Sequence, residues 1–295
     1  MKKYNECKSR DRLQLCQGSG PESIAEDQRQ SVPDQERLIE VYRRAFQVLR
    51  ADTPDLRKEA YRLRYQVYCV ENPFEDPRGN PDEMEMDLFD QRSSHSLLVH
   101  RPSGQIAGCV RLVLPPGRMP GDTRRDANKV ASAKDLPIGH VCEDPRLADP
   151  NVLPPDTTAE VSRFAISKRF RQRARDGRYG QLSEPDPASP ITERRAIPHM
   201  SLGLISALVQ MSVEAGITHW CAVMEPPLIR MLARLGIYFE SLGPLVNYHG
   251  RRQPLCAKLD TLLAGMWHER PEVWEVITDE GQLWPRPQGR ADNLG

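Results

Sequence analysis

Charged residues interrupt several apolar runs of this sequence, and they are the residues best suited to chemistry. An unpaired ion inside an apolar strand or helix is very costly, so each of them must find a partner. The two signs occur in equal numbers, which predicts a set that neutralises itself. Such a set serves either a reactive site or a purely structural network that holds a loop against a sheet. The residues are Arg64, Arg111, Arg163, Asp87, Asp90 and Glu160.

Other kinds of site find little support in the sequence. There is no Gly-rich phosphate loop, no G-x-S-x-G elbow and no H-E-x-x-H motif. The seven histidines and seven cysteines have no ligand spacing, so we expect neither a metal nor a disulfide framework. Lys plus Arg and Asp plus Glu each number 41, and this balance argues against coating nucleic acid by bulk charge. Without a signal peptide or a spanning segment, we expect a cytoplasmic protein with reduced thiols.

The hydrophobic pattern predicts the elements that must position these charges. The order is helix, helix, β-hairpin, strand, helix, strand, helix and two last strands, which predicts an α+β fold (an α/β sandwich) with a mixed central sheet and helices on both faces. Residues 1–34 are polar and predict a flexible tail. We place one domain at 35–262 and a C-terminal extension at 263–295. The predicted segments include helices over 34–50, 53–71, 200–217 and 227–236, a hairpin over 94–114, and strands over 158–168 and 218–225.

Several short motifs occur in the order known from one enzyme family. They are R-Y-Q-V-Y at 64–68, E-M-D-L-F-D at 85–90, G-C-V-R-L at 108–112 and E-V-S-R-F at 160–164. Together they resemble the acyl-homoserine lactone synthases and N-acyl amino acid synthases, the autoinducer-synthase branch of the GNAT-like acyltransferases. The overall pattern over about 55–260 looks closest to the PEP-CTERM/exosortase-associated acyltransferases of that superfamily. The resemblance implies a GNAT-like fold and transfer of a fatty acyl group from a thioester to an amine.

The resemblance also implies roles for individual residues. The six charged residues match the catalytic set of the family, and Glu160 is our candidate for the carboxylate that takes the proton of the acceptor ammonium. A splayed or bulged strand over about 163–167 would supply donors for the oxyanion. Tyr68 stands where the family usually has Phe, and Phe74 where lactone synthases usually have Trp. The residues expected to bind substrate are Tyr68, Phe74, Phe164, Ala165 and Ile166.

The acyl donor is the next expectation. CoA-dependent members of the fold bind the pyrophosphate with a Q/R-x-x-G-x-G/A turn, which K-R-F-R-Q-R-A-R-D-G-R at 168–178 does not fit. Its positive charges predict a docking patch for an acidic acyl carrier protein, although a solvated loop has the same composition. We expect no bound cofactor. We expect the acyl donor to be acyl-acyl carrier protein or acyl-CoA. The docking residues are Lys168, Arg169, Arg171, Arg173 and Arg175.

Three functions follow as hypotheses. The first is an N-acyltransferase that moves a long-chain acyl group from acyl carrier protein to the amine of an amino acid or a related small acceptor. The second is an acyl-homoserine lactone synthase that uses S-adenosylmethionine, and the third is a non-catalytic module that binds acyl groups or acyl carrier protein. Some of a set of flexible apolar residues would line a tunnel for the acyl chain. That set is Met200, Leu204, Ile205, Leu208, Met211, Met224, Leu228 and Met231.

Overall fold

A central β-sheet organises the computed structural model, which describes residues 36–121, 132–170 and 193–287, with the side chains of 193–197 left out. The strands are β1 (Phe46–Arg50), β2 (Ser93–His100), β3 (Gln105–Val113), β4 (Thr158–Ile166), β5 (His219–Met224), β6 (Glu240–Ser241), β7 (Val246–Asn247) and β8 (Arg251–Lys258). They follow the order β1-β2-β3-β4-β5-β8-β6, and β7 pairs with β8. Among these described strands, only β4 and β5 pair in parallel; the other pairs are antiparallel.

Helices cover both faces of the sheet. Successive side chains of a strand point to opposite faces, so Leu97 packs on the side of Ala60 in the second helix, and Leu98 packs in the cluster that holds the long third helix. The mixed sheet with helices on both faces is therefore confirmed. The helices are α1 (Leu38–Ala45), α2 (Pro54–Tyr65), α3 (Glu193–Glu214), α4 (Pro226–Ala233), α5 (Leu259–Glu269) and α6 (Pro271–Thr278). None of the described helices is both long and apolar enough to cross a membrane.

Helix α2 begins where the sequence predicts and ends irregularly. The Thr53 hydroxyl accepts the backbone N–H of Leu56 at 3.3 Å, and Pro54 occupies the first turn. The predicted helix to residue 71 is confirmed, but its last part, Gln66–Glu71, is a π-helical turn. Such turns are rare and occur mostly at functional sites.

The first predicted helix is wrong in its second half. The sequence predicts one helix over 34–50, whereas α1 ends at Ala45 and Phe46–Arg50 form the edge strand β1. Phe46 pairs with His100 of β2 and is buried. Helical periodicity is a local signal, and here the backbone partner that β2 offers decides the conformation.

The C-terminal segment is part of the core. Residues 263–278, which the sequence analysis places in an extension, form most of α5 and α6 and contribute Leu263, Trp274 and Ile277 to the large apolar cluster. The rings of Trp267 and Trp274 meet at 4.7 Å. Contacts divide the chain into Met1–Gln35 and Glu36–Gly295, and the predicted tail at 1–34 lies outside the described residues.

Candidate active site

A cleft opens between β4 and β5 because the two parallel strands separate. Their pairing ends at Val161 with Ala222. On the other edge of β4 the register with β3 shifts, so that Arg163 and Phe164 together oppose Val110. This is a β-bulge, and Arg163 has the left-handed φ of 49°. The bulged strand predicted over 163–167 is present, and it turns the end of β4 away from β5.

The cleft widens into a cavity of about 380 Å³. Its walls come from the end of β4, the end of β5, the loop after the π-helical turn, and the turn that precedes β8. The residues predicted for catalysis or substrate binding that line it are Glu160, Arg163, Arg111, Asp87, Tyr68, Phe74, Phe164, Ala165 and Ile166. Of the predicted tunnel residues, Met224, Leu228 and Met231 line it, while Met200, Leu204, Ile205, Leu208 and Met211 are buried in the core.

Arg64 forms the centre of a buried ion network behind this cavity. Its side chain is fully buried, and its Nε donates to Glu85 at 2.5 Å. Its two terminal nitrogens donate to the two oxygens of Asp90 at 2.6 and 3.0 Å, a paired geometry that fixes both groups. Arg64 and Asp90 do not line the cavity, so both support it from behind.

Two further arginines connect the network to the cavity wall. Arg111 donates to Asp87 at 2.6 Å and to Asp90 at 2.9 Å. Arg163 donates to Glu85 at 2.7 Å and approaches Asp87 at 3.3 Å. Because Asp87 and Asp90 also cap their own short turn, the arginines hold this loop against β3 and β4.

The network keeps its carboxylates ionised. Burial opposes ionisation of Glu85, but Arg64 and Arg163 outweigh it and lower its pKa to about 2. Burial also opposes ionisation of Asp90, and Arg64 again lowers its pKa below the ordinary range. Burial lowers the pKa of the neighbouring His95 to about 3, so this imidazole is neutral. Near neutral pH, Glu85 and Asp90 are therefore ionised and His95 is neutral.

Glu160 behaves in the opposite way. Its carboxyl group is buried, and burial raises its pKa from 4.5 to about 8. Its Oε2 atom accepts a hydrogen bond from the backbone N–H of Ile138 at 2.6 Å. Gly139 follows in the same turn, where a Cβ would overlap the carbonyl of Lys134, so the turn that supplies this N–H requires glycine. Glu160 is the cavity carboxyl whose pKa lies near neutrality.

These contacts correct the predicted charge balance. The sequence places Glu160 in the self-neutralising set, but Glu160 makes no ion pair with the described residues, and Glu85 takes its place between Arg64 and Arg163. The sequence carried a signal for Glu85, because it begins the same E-M-D-L-F-D motif. Ser162, which accepts from Arg111 Nε at 2.9 Å, likewise lies within the E-V-S-R-F motif. The sequence gave no comparable signal for Arg252, which lines the cavity.

Only part of the predicted docking patch lies within the described residues. Lys168 and Arg169 are exposed in a helical turn that follows β4. Arg171, Arg173 and Arg175 lie outside the described residues. Within the described ranges, no group of three or more His, Cys, Asp or Glu side chains is placed to hold a metal ion.

Residues 63–177 match the sequence model of a family described as acetyltransferase (GNAT) domain. The match spans well under half of the chain, and it contains the ion network, Glu160 and the bulge of β4. Together with the sheet, it confirms the GNAT-like fold and the acyltransferase class. A comparison with curated proteins finds no match.

Solved structures with a similar backbone include three synthases. The acyl-homoserine lactone synthase LasI is 19% identical, with 76% of this chain and 94% of LasI covered and a TM-score of 0.45. The CoA-dependent acyl-homoserine lactone synthase BjaI with MTA is 16% identical, with 84% and 95% covered and a TM-score of 0.48. FeeM, an N-acyl amino acid synthase from uncultured soil microbes, is 14% identical, with 75% and 94% covered and a TM-score of 0.43. Similarities this weak assign no substrate.

Proposed function

We propose that this chain transfers a long-chain fatty acyl group from an acyl carrier protein thioester to the amine of an amino acid or a related small acceptor. The proposal rests on the position and the pKa of Glu160. It is a buried carboxyl with a pKa of about 8 on the wall of a cavity, at the point where β4 leaves β5. A general base works best when its pKa is close to the working pH, and Glu160 satisfies this condition.

The reaction needs a proton acceptor and an oxyanion site. Ionised Glu160 takes a proton from the acceptor ammonium, and the neutral amine attacks the thioester carbonyl to form a C–N bond. The tetrahedral oxyanion then collapses, the C–S bond breaks, and the departing thiolate takes up the second proton of the attacking nitrogen, which leaves a neutral amide and a thiol. Glu160 then releases its own proton to solvent. Backbone N–H groups of β4 that point towards β5 lose their strand partner after Val161, so they are available to the oxyanion.

The residues after β4 favour acyl-acyl carrier protein over acyl-CoA as the acyl donor. The carboxylate of Glu71 accepts the backbone N–H of Lys168 at 2.7 Å and lies 3.4 Å from the Ser167 hydroxyl. A negative charge at the beginning of this helical turn repels phosphate groups. This position is also where the resemblance places a pyrophosphate turn that the sequence lacks. The exposed Lys168 and Arg169 suit an acidic carrier protein instead.

The apolar end of the cavity suits a fatty acyl chain. Met224, Leu228 and Met231 line it together with Phe164 and Ile166 from the bulged strand. Methionine adapts to irregular apolar ligands, and the bulge keeps this side open. The polar end holds Glu160 and Arg111, so one cavity offers both an acyl site and a site for proton transfer.

Mass spectrometry of lipid extracts tests the proposal directly. A bacterial host expressing the wild-type chain is compared with one expressing Glu160→Gln, with both proteins shown to be soluble and folded. We expect a new N-acyl amino acid with the wild type and at least a 100-fold smaller amount with the variant. An acyl-homoserine lactone would support the S-adenosylmethionine alternative, and no acylated product would support the binding module. The exosortase association and a cytoplasmic location stay predictions from the resemblance and the sequence.

A further inference from the structure

Two segments meet on one wall of the cavity. The loop that follows the π-helical turn contributes Phe74, and the turn between β7 and β8 contributes His249. The His249 Nδ1 atom lies 3.1 Å from the Phe74 carbonyl oxygen, and the two rings are 6.3 Å apart. Segments that are distant in sequence thus form a continuous surface on the wall of the cavity.

Arg252, at the beginning of β8, is held in a fixed orientation on this wall. Its Nε donates to the carbonyl of Tyr248 at 2.7 Å, and its Nη2 donates to the carbonyl of His249 at 3.3 Å. Its guanidinium carbon lies 5.6 Å from the centre of the Phe74 ring. Two backbone acceptors and an aromatic face orient the guanidinium before any ligand binds. A ligand therefore offsets a smaller entropic cost of ordering this side chain.

The charge of Arg252 is the least compensated among the three arginines that line the cavity. Arg111 and Arg163 are both bonded to buried or half-buried carboxylates of the network. Arg252 has one carboxylate within the described residues, Glu225 at 3.1 Å, whose side chain is 48% exposed. Solvent-exposed ion pairs contribute little free energy, and backbone carbonyls carry no formal charge. A second anion can therefore replace Glu225 at small cost.

We propose that Arg252 binds the carboxylate of the acceptor, so that the preferred acceptor is an amino acid with a free carboxyl group. This inference rests on the proposed function and names the acceptor class of the same cavity. The guanidinium fork matches a carboxylate in shape and charge. The network arginines do not serve this purpose, because a substrate carboxylate would have to displace Asp87 or Glu85 from them. Acceptor specificity thus lies outside the motifs of the ion network.

The test uses the purified full chain with a long-chain acyl-acyl carrier protein. One reaction contains the pool of standard amino acids, and a second contains the pool of their primary amides at equal concentrations; products are identified by mass spectrometry. We expect at least tenfold more acylated amino acid than acylated amide. For the best acceptor, Arg252→Met raises KM by about 10- to 100-fold and removes the preference, with kcat much less affected.

Two further variants make the result specific. Arg251→Met removes the same charge from the neighbouring exposed residue and leaves both KM and the preference unchanged. Arg252→Lys keeps the charge without the fork and gives an intermediate KM, and it replaces Arg252→Met if that protein does not fold. Equal acylation of the two pools, or a preference that survives in the Arg252 variants, overturns the inference and leaves the acyltransferase intact. No product from either pool overturns both.

Discussion

The ion network and the cavity around Glu160 lie side by side, and the pKa values of their buried carboxyl groups are shifted in opposite directions. In the network, Glu85 contacts Arg64 at 2.5 Å and Arg163 at 2.7 Å, and its pKa falls to about 2. On strand β4, in the wall of the cavity, Glu160 has a backbone N–H at 2.6 Å instead of an arginine, and its pKa rises to about 8. Both carboxyl groups are buried.

The difference shows that burial alone does not define a reactive carboxyl. Burial raises the pKa of both groups, and the partner decides the outcome. A carboxylate compensated by two guanidinium groups is a fixed charge that stabilises a loop. A carboxyl group that has only one neutral donor exchanges a proton near neutral pH. The structural interpretation of the charged set therefore fits the carboxylates that pair with arginines, whereas the reactive interpretation stays a prediction for Glu160.

Removal of Arg64 should have the largest effect on stability. Arg64→Met leaves Glu85 and Asp90 buried without their main counter-charge, and we expect the free energy of unfolding to fall by about 3–5 kcal/mol. Chemical denaturation measures this. The matched control is Arg62→Met on the same helix, where an exposed pair with Glu59 contributes no more than about 0.5 kcal/mol. Equal effects of the two substitutions would show that the network is not structural.

Removal of the Glu160 charge should mainly affect activity. Glu160→Gln keeps an acceptor for the Ile138 N–H but takes no proton, so we expect kcat to fall by about 10²- to 10⁴-fold with the fold intact. Steady-state kinetics and circular dichroism measure the two properties. Glu143→Gln, an exposed carboxylate on the loop that follows Ile138, is the control and should keep full activity. A fully active Glu160→Gln enzyme would assign proton transfer elsewhere.

The pH dependence should separate the two regions. The base must be ionised, so kcat/KM should rise about tenfold per pH unit below 8 and level off above it. Between pH 4.5 and 8 Glu160 binds more protons in the native protein than in the unfolded chain, while below pH 6.5 His95 binds fewer. The free energy of unfolding should therefore fall as pH rises from 6.5 to 8, where only the Glu160 effect remains. Both trends should disappear in Glu160→Gln. Trends that persist in that variant would come from another group.

A second pH experiment, at acidic pH, tests the contribution of Glu85 to stability. Its folded pKa of about 2 lies below the ordinary 4.5, so its contribution to stability is complete above pH 4.5 and is lost as pH falls towards 2. Acid titration followed by fluorescence should therefore show a loss of stability in this range that is much smaller in Arg64→Met. A titration unchanged by that substitution would contradict the assigned pairing.

The smallest expected effect concerns the donor. Glu71→Gln removes the negative charge beside the Lys168 N–H, and we expect kcat/KM for acyl-CoA to rise about 2- to 5-fold while that for acyl-acyl carrier protein changes little. Competition between the two donors measures this ratio. Glu59→Gln, an exposed carboxylate on α2, should leave the ratio unchanged. A fall in acyl-CoA use would show that Glu71 helps to bind this donor.

Local sequence signals predicted much of the scaffold and part of the site. The β2–β3 hairpin, the Thr53 cap of α2, strand β4 and the core of α3 all follow from hydrophobic periodicity and capping residues, which act within a few positions. The edge strand β1 did not follow, because its conformation depends on a distant partner strand. The helices α5 and α6 were likewise missed as part of the core, since α6 packs against the distant helix α3 and α5 packs against α6 and β8.

By itself, the sequence indicated that Arg64, Arg111 and Glu160 had to be buried, because their apolar neighbours along the chain left them no other place. Only the tertiary structure decided how they pair. Arg163 and Glu85 are 78 positions apart, and their contact depends on the bulge that turns the end of β4. The same folding brings Arg252 to the cavity and, among the described residues, leaves Glu160 without an arginine in ion-pair contact. Partners and pKa values depend on distances between segments, and no local pattern contains those distances.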